Sequence, residues 1–440
     1  MRRSVVDGGF YSVMVGMGEL YIPAFVLAVG LGEVFSGFVA TLPQMVAGVV
    51  QMLAVRAVPL VGGAKRWSLI CVGLQASSFI PLFVGALVGA IPAWAVFLSA
   101  TVYWASGMSA GASWTTWISS LVPGRLDGRL RSRYFGIRQR SVQAGQLVGF
   151  IVGGALLQGV VWIAPPGQVS DARLLVFAAM FAGAGIARWI SFSYLVKIHE
   201  PARPGHEDRR VSPLELVRRM LTKGGGRDAK LLVYMFLFSG AASLSAPFIN
   251  PYILEQLHLS YGVYAALIGT VILGKMLSLP VWGALGQLIG ARRLLWIGAL
   301  GTIPPIAMFA LSSDLRVLFV AQAMAGAAWG AYELASWLLQ LEHLHERERT
   351  SLMATYFLGN TLAMGIGTLA GGALLSALGT GMEAYATLFW CSVALRLMTL
   401  FALPAVAGKV DLPRLAHAPA LARRAYKLFQ TLGPEIIRPR

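Results

Sequence analysis

The chain has 440 residues, of which 57% are hydrophobic, 12% are charged and 50 are glycine, and its formal net charge is +17. This composition argues against an ordinary water-soluble protein and indicates membrane spans. The basic residues lie in short stretches between apolar runs, which favours loops beside anionic lipid and argues against a nucleic-acid partner. Cys71 and Cys391 lie inside apolar runs, so we expect neither a disulfide nor a cysteine metal site.

Twelve apolar runs, each long enough to cross about 30 Å of hydrocarbon, follow one another along the chain. We predict transmembrane helices, because the runs are continuous and a helix satisfies its own backbone hydrogen bonds. The first run is long and contains Glu19, so we expect a retained span rather than a cleaved signal peptide. The predicted spans are 9–31, 33–55, 67–90, 92–121, 141–163, 172–195, 230–254, 260–284, 293–312, 315–340, 352–377 and 384–406.

The basic residues also set the orientation. With a cytoplasmic N-terminus, the inner segments carry nearly all of the arginine and lysine, whereas the outer loops carry only Arg173 and Arg316. We therefore predict that both termini are cytoplasmic. The fold class is an all-α membrane protein with twelve spans in two homologous six-helix bundles. The predicted domains are an N-terminal bundle at 1–195, a cytoplasmic linker at 196–229, a C-terminal bundle at 230–406 and a basic cytoplasmic tail at 407–440.

The linker and the tail each contain a basic amphipathic segment. In the linker, the sequence "SPLE" at 212–215 is typical of a helix start, with Ser212 as the cap and Glu215 at the third position. We interpret both segments as helices that lie on the membrane surface, with a regulatory role as the alternative.

Two halves of the chain repeat each other. "VGGAKRW" at 61–67 matches "LIGARRLLW" at 288–296, and "VGFIVGGALLQ" at 148–158 matches "IGTLAGGALLS" at 366–376. Two further matches follow in the same order at a nearly constant separation. This pattern predicts two homologous bundles of six helices.

These features together resemble the major facilitator superfamily, and more narrowly its bacterial permeases, over nearly the whole chain. The superfamily's loop signature, G-x-L-x-D-R-x-G-R-R, resembles "GALGQLIGARR" at 283–293, although Gln287-Leu288 replaces the Asp-Arg pair. The resemblance implies gating loops, and the missing pair weakens the charge network that would lock them. The residues concerned are Gly63, Lys65, Arg66, Gly283, Gln287, Gly290, Arg292 and Arg293.

Glycines of the fifth span also fit a superfamily pattern. The antiporter signature G-x8-G-x3-G-P-x2-G-G matches five glycines beginning at Gly136, with Phe150 in place of the proline. Glycine at every fourth residue is equally what two tightly packed membrane helices need, and we favour this interpretation. The packing glycines are Gly145, Gly149, Gly153 and Gly154, with Gly367, Gly371 and Gly372 in the second half.

The resemblance implies that spans one, four, seven and ten line a central cavity. In span ten, polar and aromatic residues recur at intervals of three and four, which places them on one helix face. The other three spans carry similar residues. The predicted cavity-lining residues are Tyr11, Gly16, Tyr103, Ser106, Trp114, Ser243, Asn250, Gln322, Trp329, Ser336 and Trp337. Interfacial anchoring is the alternative for Trp337.

Glu333 and Glu19 are the candidate functional carboxylates. A charge at the centre of a span costs on the order of 2.5–3.5 kcal/mol on insertion, so we interpret both as sites of substrate binding or proton coupling. The alternative is structural, since Lys275 in span eight lies at a similar depth and would neutralise Glu333. Arg188 and Arg396 lie near span ends, where we expect their side chains to extend toward water.

The sequence favours a secondary active transporter that works by alternating access. Spans one, four, seven and ten carry no lysine or arginine in their middles, which favours a neutral, amphipathic or cationic organic solute. We expect proton coupling, no ATP, no metal, no cofactor and no catalytic group. We also expect a monomer in the cytoplasmic membrane. The alternatives are an uncoupled facilitator, a lipid flippase, or a non-transporting sensor or assembly protein.

The predicted orientation is testable with reporter fusions. Green fluorescent protein fused after Arg440 should fluoresce and alkaline phosphatase at the same place should be inactive, because the tail is predicted to be cytoplasmic. The same pair of reporters inserted beside Arg316, in a predicted outer loop, should give the opposite result. An active phosphatase at Arg440 would contradict the orientation.

Overall fold

The computed structural model describes residues 2–121, 128–165, 167–198, 227–343 and 349–407, which are helical over most of their length. The first half contains α1 (Arg2–Met17), α2 (Ile22–Ala28), α3 (Glu33–Leu60), α4 (Ala64–Ser77), α5 (Phe79–Val88), α6 (Ala93–Leu121), α7 (Gly128–Ile163) and α8 (Val169–Val196). The second half contains α9 (Arg227–Ser243), α10 (Tyr261–Ile289), α11 (Ala291–Gly301), α12 (Ile303–Leu311), α13 (Leu315–His343), α14 (Arg349–Leu378) and α15 (Met382–Ala407). Most of the predicted linker and tail lies outside the described residues.

Ten helical stretches in the described part of the chain are long and apolar enough to cross a membrane. The prediction of a multi-pass, all-helical membrane protein is therefore confirmed. Helices α6 and α13, which correspond to predicted spans four and ten, are not among the ten. The count of twelve spans and the cytoplasmic termini stay predictions.

Several of the predicted spans are divided by a break. Between α1 and α2 the chain forms a short turn at Glu19–Tyr21, just before Pro23, which occupies the second position of α2. Beyond α9 the short helical turns Ala246–Phe248, Ile249–Pro251 and Tyr252–Gln256 follow, and proline lies in the first two. Proline lacks the N–H that a continuing helix needs, so breaks are expected at these positions.

The described residues form two compact units that do not follow the order of the chain. The first contains residues 1–207, 246–269 and 364–380, and the second contains residues 208–245, 270–363 and 381–440. Pieces of the second half of the sequence therefore pack with the N-terminal helices.

In the first unit, α1 and α7 approach closely through glycine. A Cβ on Gly149 would lie 2.6 Å from the Val13 carbonyl oxygen, and one on Gly16 would lie 2.8 Å from the Phe150 nitrogen. Gly145 faces the Gly9 carbonyl in the same way. Gly16, which the sequence predicts as cavity-lining, thus lies in the contact between these two helices, because only a residue without a side chain fits there.

The remaining predicted packing glycines also lie in tight surroundings. A Cβ on Gly153 would lie 2.6 Å from the Tyr21 ring, and one on Gly154 would lie 3.0 Å from the Tyr21 hydroxyl. In α14, Gly372 faces the Phe38 ring, and Gly367 and Gly371 are also buried. This geometry agrees with the packing interpretation of the glycine pattern.

Residues 246–269 pack against the first half of the chain, near α2 and the start of α3. The Gln256 side-chain amide donates hydrogen bonds of 3.0 and 3.2 Å to the two Glu33 carboxylate oxygens. The Tyr21 hydroxyl donates to the Phe150 carbonyl at 2.7 Å, and the Tyr21 ring lies edge-on to Tyr264. Aromatic packing and polar bonds together hold this segment against the first half of the chain.

In the second unit, small residues bring α10 and α13 together. A Cβ on Gly274 would lie 2.7 Å from the Ala323 carbonyl oxygen, and one on Gly326 would lie 2.9 Å from the Lys275 nitrogen. The Trp282 indole N–H donates to the Ala327 carbonyl at 2.8 Å across the same contact. Part of the predicted polar stripe of span ten therefore packs against α10.

The prediction that Arg188 and Arg396 extend toward water is wrong. The exposed fractions of these residues are only 5% and 1%. The Arg396 guanidinium instead donates to the Thr302 carbonyl at 2.8 Å and to the Ala242 carbonyl at 3.4 Å. These carbonyls lie at the break between α11 and α12 and near the end of α9, where helical hydrogen bonds are interrupted. Buried arginine is stable there because it supplies the missing donors.

The close contact between α1 and α7 predicts the outcome of two matched substitutions. Gly149→Ala should lower the free energy of unfolding by about 1–3 kcal/mol, because its methyl group meets backbone atoms that cannot withdraw. Gly159→Ala, ten residues along the same helix, has no heavy atom within 4 Å of its new methyl and should be neutral or stabilising by about 0.5–1 kcal/mol. Thermal unfolding of the purified variants measures both. Equal stability of the two variants would contradict the close approach.

Candidate functional site

Glu19 occupies the break between α1 and α2, where it is half-buried. The buried Tyr103 of α6 donates a hydrogen bond of 2.5 Å from its hydroxyl to the Glu19 carboxylate. Within the described part of the chain, no cation forms an ion pair with Glu19. The sequence predicts both residues as functional, and the structure brings them into direct contact.

A second polar group lies nearer the start of α1, around Asp7. The Ser191 hydroxyl of α8 donates to Asp7 at 2.6 Å and accepts from the Arg188 guanidinium at 2.9 Å. Arg138 of α7 lies 3.9 Å from the other Asp7 oxygen. Only 3% of the Asp7 side chain is exposed, so three helices are joined by buried charge.

Two predicted cavity-lining aromatic residues complete this group. The Arg138 guanidinium lies 4.0 Å from the centre of the Trp114 ring, and the Arg188 guanidinium lies 4.8 Å from the centre of the Tyr11 ring. Attraction between a cation and an aromatic face stabilises both placements. Asp7 is not among the predicted site residues, because it precedes the predicted start of span one. Its spacing of four residues from Tyr11, which places the two on one helix face, is the signal that identifies it.

Glu333 and Lys275 form an ion pair in the second unit. The Glu333 side chain is 47% exposed and that of Lys275 is 28% exposed. Lys275 is brought to Glu333 by the contact between α10 and α13. The Glu333 carboxylate is therefore compensated by the Lys275 charge and is about half accessible to solvent.

An aromatic cluster lies near Glu333 along α13. Phe238 stacks on Tyr332 with ring centres 4.5 Å apart, and Trp329 packs edge-on against both rings. Trp329 is half-buried, whereas Trp337 is 52% exposed. In the same unit, Gln322, Ser336 and Ser243 are buried.

Two other predicted cavity residues belong to the first unit. The Ser106 hydroxyl donates to the Val102 carbonyl of its own helix at 2.6 Å, which is a local bond. The Asn250 side-chain oxygen accepts a hydrogen bond of 3.4 Å from the Tyr264 hydroxyl, within the segment 246–269.

The predicted gating loops contain matching turns. Gly63 and Gly290 precede α4 and α11 with φ angles of 128° and 84°, a conformation that favours glycine. Lys65 donates to the Val196 carbonyl at the end of α8 at 3.0 Å, where a cation stabilises the helix dipole. Arg66 is exposed, Arg292 and Arg293 are half-buried, and Gly283 has no heavy atom near its α-hydrogens. The Gln287 side chain lies outside the described residues.

Among the described residues, no group of three histidine, cysteine or acidic side chains is placed to hold a metal ion.

Comparison with known proteins identifies the fold. Residues 231–433 match the Major Facilitator Superfamily. The second half of the chain is a major facilitator superfamily domain. The resemblance inferred from the sequence is thereby confirmed, and the family match indicates a transporter rather than an enzyme. No curated protein matches the chain in sequence.

Solved transporter structures share the fold of nearly the whole chain. The nucleoside transporter NupG is 14% identical and has a TM-score of 0.66, with 93% of this chain and 99% of that chain covered. A bacterial homologue of the iron transporter ferroportin is 15% identical with a TM-score of 0.65 and coverages of 93% and 98%. A D-xylose–proton symporter is 16% identical with a TM-score of 0.64 and coverages of 91% and 94%. At these identities the similarity establishes the fold alone.

The ion pair between Lys275 and Glu333 predicts non-additive substitutions. Lys275→Met and Glu333→Gln should each destabilise the protein, and the double variant should be more stable than the sum of the two losses implies. We expect a coupling energy of about 0.5–1 kcal/mol, because both side chains are partly exposed to solvent. Thermal unfolding of the four proteins closes the cycle. Additive losses would show that the pair contributes no stability.

Proposed function

We propose that this protein is a secondary active transporter that moves a small organic solute by alternating access and couples it to protons through Glu19. The observation that supports this is the bond between Glu19 and Tyr103 at the break in the first span. A carboxylate inside a span, without an ion-pair partner among the described residues, can gain or lose a proton without separating a salt bridge.

The structure favours Glu19 over Glu333 as the coupling residue. Glu333 already has Lys275 as a partner and is 47% exposed. Protonation of Glu333 would leave the Lys275 charge uncompensated, whereas protonation of Glu19 leaves a neutral acid that still bonds to the Tyr103 hydroxyl. We assign Glu333 and Lys275 a secondary role in solute binding.

The turn that carries Glu19 also carries Tyr21, and this links the proton to contacts made by the second half of the chain. The Tyr21 hydroxyl bonds to the Phe150 carbonyl and the Tyr21 ring packs against Tyr264 from the second half of the chain. A change of charge at Glu19 acts on the three-residue turn Glu19–Tyr21, which makes these contacts. Binding of a proton therefore biases opening and closing through a short connection.

An uncoupled facilitator is the main alternative within transport, and in it Glu19 is only a polar group of the pathway. A non-transporting sensor is favoured by one observation, the bond between Glu333 and Lys275, because a retained but inactive carrier would keep its charges paired. The neighbours with nucleoside and xylose in their names supply solute classes for a first screen. We further propose a monomer in the cytoplasmic membrane, without ATP or another cofactor.

Transport in proteoliposomes tests the coupling role of Glu19. Under an acid-outside gradient, the wild-type protein should accumulate one member of a panel of nucleosides, pentoses, their phosphate monoesters and dipeptides, and acidify the lumen. Glu19→Gln should lower accumulation at least tenfold and retain downhill exchange, because the glutamine cannot carry a proton. Tyr103→Phe should lower accumulation less, since it removes one bond and keeps the carboxylate.

Glu383→Gln is the matched control, because Glu383 is an exposed carboxylate at the start of α15. Its accumulation should equal that of the wild type. Gradient-driven accumulation by Glu19→Gln at the wild-type rate would exclude Glu19 as the coupling site. The absence of any solute movement by the wild type across a wide panel would favour the sensor.

A further inference from the structure

The polar group around Asp7 contains more positive than negative charge. Arg138 and Arg188 share one carboxylate, that of Asp7, and no other acid forms an ion pair with either arginine within the described residues. Asp7 and Arg188 are buried, whereas the Arg138 side chain is 18% exposed. The uncompensated positive charge therefore lies on Arg138, whose side chain is partly exposed to solvent.

The two guanidinium groups have more donors than this group has acceptors. Each guanidinium carries five N–H donors. Among the described residues, Arg188 donates one hydrogen bond, to the Ser191 hydroxyl. The Nε atoms of both arginines are buried without a hydrogen-bond partner in the structure. Unsatisfied buried donors next to excess positive charge are a costly arrangement, which an anionic ligand would relieve.

The same two arginines cover aromatic rings that the sequence predicts as binding surfaces for a cationic solute. Arg138 covers Trp114 at 4.0 Å and Arg188 covers Tyr11 at 4.8 Å. A ligand cation there would meet two fixed positive charges instead of a free ring face. The expectation of a cationic solute rested on the absence of arginine from spans one, four, seven and ten, but arginines of α7 and α8 reach over the residues of α1 and α6.

We propose that Arg138, supported by Arg188 and Asp7, binds an anionic group of the transported solute, a carboxylate or a phosphate monoester, and that this site rejects organic cations. The proposal rests on the proposed function, since it names the solute class of the same carrier. Arg138 contacts the anion through its exposed N–H groups. Asp7 sets the affinity, because it keeps the net charge of the group at one rather than two.

Four probes with the same aromatic ring test this inference by binding. Benzoate, phenyl phosphate, benzamide and benzylamine are titrated by calorimetry against the purified protein in nanodiscs. We expect benzoate or phenyl phosphate to bind saturably, and the stronger of the two identifies the anionic group. Benzamide and benzylamine should bind at least tenfold more weakly. Equal or tighter binding of benzylamine would overturn the proposal.

Variants assign the site to Arg138. Arg138→Gln should weaken binding of the preferred anion at least tenfold, and Arg138→Lys should weaken it less, because lysine keeps the charge without the planar fork. Arg140→Gln is the control, since Arg140 is exposed on the same helix, and it should bind within twofold of the wild type. Asp7→Asn should tighten anion binding severalfold. Unchanged binding by Arg138→Gln would exclude the site, and weaker binding by Asp7→Asn would contradict the charge argument.

The failure of this inference is separable from failure of the proposed function. Glu19→Gln should bind the preferred anion at least as tightly as the wild type, because it removes a negative charge near Tyr11, the ring that Arg188 covers. Retained anion binding in a protein that fails to couple protons would leave the site standing and reject only the coupling role. Proton-driven transport of a neutral sugar, with no affinity for either anion, would support the carrier and reject the anion site.

Discussion

The need to stabilise carboxylates within the helical bundle organises this protein. Asp7, Glu19 and Glu333 are each held by a group from another helix, since an unpaired charge inside a span is costly. Asp7 is held by Ser191 and Arg138, Glu19 by Tyr103, and Glu333 by Lys275. Each contact crosses between helices or helix breaks, so the contacts that stabilise these carboxylates also fix how the helices pack. The polar groups that indicate function and those that determine the fold are therefore the same groups.

The helices themselves were predictable from local sequence. Long apolar runs predict spans, because helix formation depends on residues that are close in the chain. Glycine periodicity in α7 indicated a close contact, and the structure supplies α1 as the partner. What periodicity cannot separate is a face that lines a cavity from one that packs on a helix. Gly16, which the sequence predicts as cavity-lining, packs against the backbone of a neighbouring helix.

The candidate site was predictable only in part, because arginine side chains are long. Tyr103 and Glu19 were identified one by one, but their contact depends on α6 lying beside the break between α1 and α2. Counting the charges of each span separately suggested a site without cations. Arg138 and Arg188 extend from adjacent helices to the aromatic faces of Trp114 and Tyr11. The charge next to the residues of one helix therefore depends also on side chains that extend from neighbouring helices.

The course of the seventh predicted span has a mechanical consequence. Its first part, α9, belongs to one compact unit, and residues from 246 onward belong to the other. The boundary falls at the break before Pro247, where helical hydrogen bonds are already interrupted. Spans eight and eleven likewise pass from one unit to the other, near residues 270 and 364. Each of these three spans therefore contributes residues to both units, and bending within one of them displaces residues of both.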